Sequence, residues 1–391
     1  MDRHYGMDWL RIGAFALLIL YHIGMFFVPW DWHVKTAQPL DWVAVPMLAA
    51  NAWRLPLLFV VAGYASAALF GRESVRAFIV SRAARLLVPL VFAMIFLIPV
   101  QPWIELMFKH GYTHGYTHFW TTDYFRFAAI YGIVVPTWQH LWFVVYLWVY
   151  TMLAVAILAL TPARAQESFA RFIDDLLSGP GLLIVPIAWL GVHMAISGTD
   201  AKETHALVDD MVAHRMYFPA FVFGFFLRDA PGTWGAIRCW WKVAAVIALA
   251  AYAVVAGIEI AWPGNSRAPI ELAILFRGAR LVQGWCTVVA LIGIADRYWN
   301  RDHEWRPMLT EAVFPFYIIH QSIIVLAGWW LLPFALSPGV EFAILVAATV
   351  AGCWAFYLTG REVPLLRPLI GLRLARSKRS AKAAAQPMGV P

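Results

Sequence analysis

The sequence predicts an all-α, polytopic membrane helix bundle of about ten transmembrane helices, with both termini in the cytoplasm. Hydrophobic residues make up 62% of the 391 residues and charged residues only 14%, so a soluble domain of this length could not bury the apolar surface. Apolar runs of spanning length recur along the chain, and Lys and Arg collect in alternate connecting segments, as they do in cytoplasmic loops. The formal charge of +7 therefore reflects membrane topology, and we expect no nucleic-acid partner.

The candidate spans are apolar runs, and the sixth of them is short for a bilayer. They cover residues 9–29, 43–69, 86–107, 138–160, 181–198, 215–228, 241–262, 278–296, 309–333 and 340–360. Without the sixth run, the second half of the chain would be inverted and its basic tail would lie outside. We therefore expect a transmembrane domain over residues 1–371. A basic, disordered cytoplasmic tail is expected over residues 372–391.

The first span carries Arg11 and His22 in the stretch RIGAFALLILYH. This separation is about three helical turns, or ~16 Å, so both side chains fall on one face of a helix. Arg11 then lies near one membrane surface, while His22 lies inside the hydrocarbon. A histidine at that depth is costly unless a neighbouring helix or an aqueous cavity receives it. His22 is therefore either a histidine satisfied by a packed helix or part of a functional site.

Two other ionisable residues fall at about the depth of His22. Arg54 lies in the second span, in NAWRLPLLFVVAGYASAAL, and His320 lies in the ninth, in TEAVFPFYIIHQSIIV. A buried arginine should face a cavity or an anion, the alternatives being a structural ion pair or a side chain that snorkels to the surface. His22, Arg54 and His320 together form a predicted midplane layer of polar groups.

A second polar layer is predicted near the cytoplasmic surface, where Arg82 and Arg85 lie one helical turn apart as the third span enters the membrane. Paired guanidinium groups suit phosphate oxygens, although ordinary cytoplasmic arginines would show the same spacing. Arg11 and Glu311 fall at the same level. Basic groups in this layer and imidazoles at midplane suit a polyanionic donor whose thin arm reaches inward.

Near the outer surface, His110, His114 and His118 repeat every four residues in KHGYTHGYTHFW. On a helix this spacing would align three imidazoles, as in a zinc site. Two intervening glycines argue against a stable helix, and no carboxylate or cysteine joins the pattern. We predict a polar loop and no metal.

Three residues are candidates for contacts with a second substrate at the outer side. His140 lies at the outer mouth of the fourth span, where Trp142 and its aromatic neighbours either stack on a sugar or belong to the interfacial aromatic belt. Arg280, in the outer half of the eighth span, could neutralise a carboxylate on an acyl group or on an acceptor.

These motifs, in this order, resemble the acyltransferase family 3 membrane enzymes, and most of all the branch around the periplasmic glucan C-succinyltransferases. The resemblance rests on the Arg11 and His22 pair, WRLPLLFVVAGY, the Arg82 and Arg85 pair, QHLWFV and FPFYIIHQ. It covers residues 8 to about 360.

The resemblance implies a multi-pass enzyme of the bacterial inner membrane. Such an enzyme moves an acetyl or succinyl group from cytoplasmic acyl-CoA to a hydroxyl of an extracytoplasmic glycan or glycolipid. Arg11 and His22 would be the core catalytic pair, and Arg82 and Arg85 would contact the CoA phosphates. Arg54 and His320 would stabilise the oxyanion or orient His22, and His140 is carried over with them. Acyl-CoA is a substrate in this reading, and no tightly bound cofactor is expected.

Two questions stay open at the level of the sequence. His22 could act as a general base, or it could carry the acyl group itself before passing it outward. A transporter or flippase for a glycan or lipid-linked sugar would also place Arg and His inside the membrane. The paired discontinuous helices in repeated halves that are typical of transporters are absent from the hydropathy pattern. Acyl-CoA binding would distinguish an enzyme from a transporter.

Overall fold

The computed structural model describes residues 4–198, 202–263 and 268–373. Within these ranges the protein is a helical bundle with one short antiparallel hairpin, which confirms the all-α class predicted from hydropathy. The predicted tail, residues 372–391, lies outside the described residues except for Leu372 and Arg373.

The elements run in chain order as follows. The first helices are α1 (Tyr5–Phe27), α2 (Ala44–Asn51), α3 (Arg54–Phe70), α4 (Val75–Phe96), α5 (Val100–His110) and the single turn α6 (Tyr116–His118). The hairpin strands are β1 (Ala128–Ile130) and β2 (Ile133–Val135), paired with Ala129 opposite Val134. The remaining helices are α7 (Trp142–Leu160), α8 (Ala163–Leu177), α9 (Gly181–Ser197), α10 (Met211–Leu227), α11 (Pro231–Ala261), α12 (Ile270–Ile294), α13 (Arg306–Leu331), α14 (Pro338–Glu362) and the short α15 (Leu366–Leu369).

Eight helices in the described ranges are long and apolar enough to cross a membrane. They are α1, the broken α2–α3 helix, α4, α7, α11, α12, α13 and α14. Helices α8 and α9 form a pair bent by 98°, and α10 is a shorter apolar helix of 17 residues. The ten predicted spans correspond to the eight helices together with α9 and α10. The number ten and the cytoplasmic position of both termini stay predictions.

Prolines break two of the predicted spans. The span predicted over residues 43–69 is interrupted between Asn51 and Arg54, because Pro56 has no N–H to donate to the carbonyl of residue 52. The span predicted over residues 86–107 is wrong at both ends: α4 already begins at Val75 and ends at Phe96, and after Pro99 a separate helix, α5, carries Pro102 in its first turn. Arg82 and Arg85 therefore lie two to three turns inside α4 rather than at its beginning.

Helices α3 and α10 cross with their backbones in close contact. A Cβ atom on Gly63 would overlap the carbonyl oxygen of Phe221, and one on Gly224 would overlap that of Val60. Small residues at such a crossing let two backbones meet inside a membrane, where van der Waals packing drives helix association. This contact fixes α3, and hence Arg54 at its first turn, against α10.

Ion pairs mark one end of the bundle. We call the end at which α1 begins the lower end. There Arg306 Nη1 lies 2.8 Å from Asp8 Oδ2, and Asp296 accepts from both His4 and Arg238 at 2.9 Å. The starts of α1, α11 and α13 and the end of α12 therefore lie together. The opposite, upper end holds the hairpin and the loop that follows α1.

Candidate active site

A cavity of about 1260 Å³ opens at the upper end and reaches the middle of the bundle. It is larger than the 300–1,000 Å³ typical of small-molecule sites. Five of the residues predicted from the sequence line its wall: His22, Arg54, His140, Trp142 and Arg280. They come from α1, α3, the turn that leads into α7, the first residue of α7, and α12, and the fold brings them to one space.

His320 lies directly behind His22. The Nδ1 atom of His22 is 2.7 Å from Nε2 of His320, and the two rings stack with centroids 5.0 Å apart and planes 16° apart. His320 is fully buried, whereas His22 is partly exposed to the cavity. The imidazole that a substrate can reach is therefore that of His22, and His320 acts on it from behind.

Backbone carbonyls determine which nitrogen of His320 carries the proton. Its Nδ1 atom lies 2.8 Å from the carbonyl oxygen of Tyr317 and 3.2 Å from that of Phe316. Carbonyl oxygens only accept hydrogen bonds, so this assigns the proton to Nδ1 and leaves Nε2 of His320 as an acceptor. His22 must then donate through its own Nδ1, and the lone pair of its Nε2 is left for a ligand.

His140 completes a group of three imidazoles. Its Nε2 donates to the carbonyl oxygen of Tyr317 at 3.0 Å, and the hydroxyl of Tyr317 donates back to the carbonyl of His140. The ring lies 5.0 Å from that of His320, edge to face. Its Nδ1 is buried without a hydrogen-bond partner among the described residues. His140 is thus held rigidly at the cavity wall with one nitrogen unused.

Arg54 is a buried cation with unused donors. The side chain is only 8% exposed, and its Cζ atom lies 3.4 Å above the ring of Tyr21. The Nε and Nη1 atoms have no hydrogen-bond partner among the described residues. An aromatic face supports a guanidinium without using its N–H groups. Arg54 is therefore placed to donate to an anionic or developing negative group in the cavity.

A polar chain connects Arg54 to Arg280 along the cavity wall. Arg280 Nη2 donates to Oδ1 of Asn51, and Nδ2 of Asn51 donates to the hydroxyl of Tyr21 at 2.6 Å. Asn51 is the last residue of α2, so the break between α2 and α3 presents both Asn51 and Arg54 to the same space.

The face of Trp142 that was expected to bind a sugar is partly occupied. Its ring stacks on His205 with centroids 4.2 Å apart and planes 11° apart, and the residue is only 6% exposed. Trp142 still lines the cavity, so a ligand meets its edge together with His205. No sequence pattern predicts this pairing, because His205 lies in a loop far along the chain.

The lower arginines lie apart from the cavity. Arg11 donates to the carbonyl of Thr310 at 3.1 Å, and Arg82 donates to the hydroxyl of Ser66 at 3.3 Å. None of Arg11, Arg82 and Arg85 is among the residues that line the cavity. Arg82 is 9% exposed, with its Nε atom unpaired among the described residues.

Buried apolar side chains separate these arginines from the histidines. They are Phe15, Leu18, Phe59, Phe143 and Tyr317. Phe59 and Phe143 lie with ring centroids 4.5 Å apart, and Phe15 packs edge to face on Tyr317 at 5.3 Å. The two predicted polar layers are therefore both present, and this apolar layer lies between them.

Sequence comparison identifies the family. The family described as Acyltransferase domain matches residues 4–358. The chain belongs to this acyltransferase family. The resemblance to acyltransferase family 3 enzymes predicted from the motifs is thereby confirmed.

Curated relatives match part of this acyltransferase-family chain. The chain is 28% identical over 171 residues to glucans biosynthesis protein C of Salmonella gallinarum, and the match covers 43% of this chain and 42% of the relative. It is 29% identical over 154 residues to glucans biosynthesis protein C of Shigella dysenteriae, covering 39% of this chain and 38% of the relative. The match thus spans less than half the length of these relatives. No solved structure matches the chain.

Within the acyltransferase-family site, sequence reasoning overlooked a second polar group at the upper rim of the cavity. His33 Nδ1 donates to Glu105 Oε2 at 2.6 Å, and Lys109 Nζ lies 2.7 Å from Glu105 Oε1. Burial alone would raise the pKa of Glu105, but the hydrogen bonds and charges of His33 and Lys109 outweigh it and lower the pKa to about 2. On its other side, His33 Nε2 accepts from Gln321, the neighbour of His320.

The regular histidines lie at the end of α5, in the connection that follows and in α6, and they form no metal site among the described residues. In those residues no group of three or more His, Cys, Asp and Glu side chains could hold a metal ion. His114 and His118 pack on each other with ring centroids 4.3 Å apart, and His110 stacks on Tyr131. The absence of a metal from the reaction stays a prediction.

Proposed function

We propose that this acyltransferase-family protein is a membrane O-acyltransferase of the bacterial inner membrane. It would move an acetyl or succinyl group from cytoplasmic acyl-CoA to a hydroxyl of an extracytoplasmic glycan. The family match over residues 4–358 supports the reaction class. The names of the relatives, glucans biosynthesis protein C, favour a glucan as the acceptor. Acyl-CoA serves as the donor substrate, and no tightly bound cofactor takes part.

The observation that carries the proposal is the hydrogen bond between His22 and His320 at the wall of the cavity. His320 is fixed by the carbonyls of Tyr317 and Phe316, and it accepts the proton that His22 carries on Nδ1. This leaves Nε2 of His22 as a basic lone pair. A neutral imidazole is the side chain best suited to remove a hydroxyl proton near neutral pH.

The acyl group passes from the thioester to the acceptor hydroxyl in two stages. The acceptor hydroxyl oxygen attacks the thioester carbonyl as Nε2 of His22 takes its proton, so a C–O bond forms. The tetrahedral intermediate collapses, the C–S bond breaks, and the proton on His22 passes to the departing thiolate to give free CoA. Arg54, whose Nε and Nη1 donors have no partner within the described part of the chain, stabilises the oxyanion. If His22 instead carries the acyl group, its Nε2 first attacks the thioester carbonyl, so that an N–C bond forms, the C–S bond breaks and CoA leaves as the thiolate. In the second step the acceptor hydroxyl attacks the acyl-imidazole, a C–O bond forms, the N–C bond breaks, and the hydroxyl proton goes to the thiolate to give free CoA.

The two substrates are bound at opposite sides of His22. Arg11, Arg82 and Arg85 lie in the lower half of the bundle and suit the phosphates of CoA. The acceptor lies in the cavity beside His140, Trp142 and Arg280. The apolar layer between these regions must open for the pantetheine arm to reach His22.

The test is acyl transfer by purified full-length protein in lipid nanodiscs, supplied with acetyl-CoA or succinyl-CoA and a glucan oligosaccharide. We expect acylated glucan and free CoA in equal amounts, and we expect His22→Ala to abolish both. His110→Ala, which changes the exposed histidine at the end of α5, is the matched control and should retain full activity.

Three outcomes separate the possible functions. Substantial transfer by a folded His22→Ala protein would overturn the role of His22. Tight CoA binding with release of CoA only when glucan is present supports the proposal. If the protein neither binds acyl-CoA nor releases CoA, yet moves a labelled glycan across the membrane of proteoliposomes, the protein is a transporter and the proposal is wrong.

A further inference from the structure

Beyond His22, the cavity continues as an apolar cleft along one face of α9. The lining residues on α9 are Val185, Trp189, Leu190, His193, Met194 and Ser197. They recur every three or four positions, so they form a single helical face about 18 Å long. We call this space the lateral cleft.

The facing wall of the lateral cleft is also apolar. It is formed by Val212, Met216, Ala220 and Phe223 of α10 and by Phe276 and Leu281 of α12. Helices inside membranes associate by close packing, and apolar faces such as these normally bury each other. Here the faces of α9, α10 and α12 line a space instead, so a further apolar group is needed to fill it.

The lateral cleft is accessible from the side of the bundle. Phe169 and Leu176 of α8 and Trp189 of α9 line it, yet they are 52%, 40% and 45% exposed on the outer surface. Helix α8 is amphipathic, but α8 and α9 together are apolar enough to cross a membrane as one bent pair, and α9 carries the apolar part, so the exposed ring of Trp189 contacts hydrocarbon. A hydrocarbon chain in the bilayer can therefore reach the cleft without crossing water.

The end of the cleft nearest His22 is positively charged. Arg277 and Arg280 line it on α12. Beyond Asn51 lies Arg54, whose buried Nε and Nη1 atoms have no partner in the ranges that the structure describes. Among the described residues that line this end, the carboxylate of Glu203 already accepts from the hydroxyl of Tyr217 at 2.8 Å. Guanidinium groups at the end of an apolar cleft suit an anionic head group on a hydrocarbon chain, and a phosphate fits best.

The lateral cleft is not the route to the proposed CoA site. Arg11, Arg82 and Arg85 do not line the cavity, and Arg82 points to Ser66 on α3. The ligand of the cleft is therefore a second molecule, and the reaction has one other substrate, the acceptor.

We propose that the lateral cleft binds the hydrocarbon chain of a lipid-linked acceptor, a glycan joined through a phosphate to a long chain, with the phosphate beside Arg277 and Arg280. The inference rests on the proposed function and adds that the acceptor arrives from the bilayer rather than from solution. The chain lies along α9, and the sugar reaches His22.

The first test compares two acceptors with the wild-type protein in nanodiscs. One acceptor is a glucan oligosaccharide linked by a phosphate to a polyisoprenyl chain, and the other is the same oligosaccharide free in solution. With labelled acyl-CoA, we expect kcat/KM to be at least about tenfold higher for the linked acceptor, because the chain adds apolar burial. Equal kcat/KM values would overturn this inference and leave the proposed acyl transfer intact.

A matched pair of variants on α9 locates the effect. Leu190→Trp fills the lateral cleft and should raise KM for the linked acceptor about tenfold, whereas Val192→Trp adds the same ring to the outward face and should not. If Leu190→Trp fails to fold, Met194→Trp tests the same wall. If a folded Leu190→Trp or Met194→Trp protein has the same KM for the linked acceptor as Val192→Trp, the inference is wrong.

A bilayer lipid is the competing occupant of the cleft. If anionic phospholipid raises the rate with the free oligosaccharide to that of the linked one, the cleft holds a phospholipid and the inference is wrong. If neither oligosaccharide is acylated, the glucan acceptor of the proposed function itself is wrong, which is a separate result.

Discussion

Nδ1 of His22 and Nε2 of His320 lie 2.7 Å apart, so one hydrogen bond joins α1 to α13 at the wall of the cavity. We predict that His320→Ala lowers kcat about 100-fold or more with little change in KM, because His22 loses the acceptor that holds its tautomer. His320→Gln, which can still accept from His22, should retain more activity than His320→Ala. Steady-state kinetics of CoA release measures both.

The exposed His303→Ala serves as the control for this prediction and should behave as wild type. A folded His320→Ala protein with kcat within twofold of wild type would show that His22 needs no partner.

Arg82 should act on the donor and not on the acceptor. We predict that Arg82→Ala raises KM for acyl-CoA about tenfold, since one charge-assisted hydrogen bond to phosphate contributes about 1.5–3 kcal/mol. With acyl-pantetheine, which lacks the phosphates, the variant and the wild type should have the same KM. Arg76→Ala, at the exposed start of the same helix, is the control. An equal rise of KM for both donors would indicate a structural role only.

The crossing of α3 and α10 should tolerate no side chain at Gly63. Gly63→Ala places a methyl group against the carbonyl of Phe221, and we expect it to lower the free energy of unfolding by about 1–3 kcal/mol. Gly13→Ala is the matched control, because no atom lies within 4 Å of a Cβ at that position. Thermal unfolding in detergent compares the two, and equal melting temperatures would contradict the packing argument.

Glu105 should make stability depend on pH. Its pKa falls from an ordinary 4.5 to about 2, because His33 and Lys109 outweigh the effect of burial. A carboxyl with a lowered pKa stabilises the folded state above about pH 4.5, and that contribution is lost as the pH falls toward 2. Wild type should therefore melt at a higher temperature than Glu105→Gln at pH 6, and the difference should vanish near pH 2. A difference that is independent of pH would exclude this ion pair as its cause. The exposed Glu167→Gln is the control.

Hydropathy predicted the helices but not where they break. Spans over residues 43–69 and 86–107 read as continuous, because apolar composition alone does not register the missing N–H groups of Pro56, Pro99 and Pro102. The break at Pro56 matters most for the site. It ends α2 at Asn51 and starts α3 at Arg54, and both side chains reach the cavity.

The position of a residue along its helix predicts its depth in the membrane, and hence which residues of different helices can lie in contact. His22 and His320 were placed at one level from residue counts, and the fold joins them by a hydrogen bond. Counting could not predict which helices are neighbours. It therefore did not find the stacking of Trp142 on His205, or the contact of His33 with Glu105 and Gln321. His33 lies in a loop, where hydrophobic depth gives no information about position.

The apolar layer formed by Phe15, Leu18, Phe59, Phe143 and Tyr317 has an electrical consequence. A water-filled cavity that reaches His22 carries the potential of one side of the membrane down to that residue. The voltage difference then falls across the short stretch between His22 and Arg11. A charge that crosses it gains or loses about 2.3 kcal/mol per 100 mV.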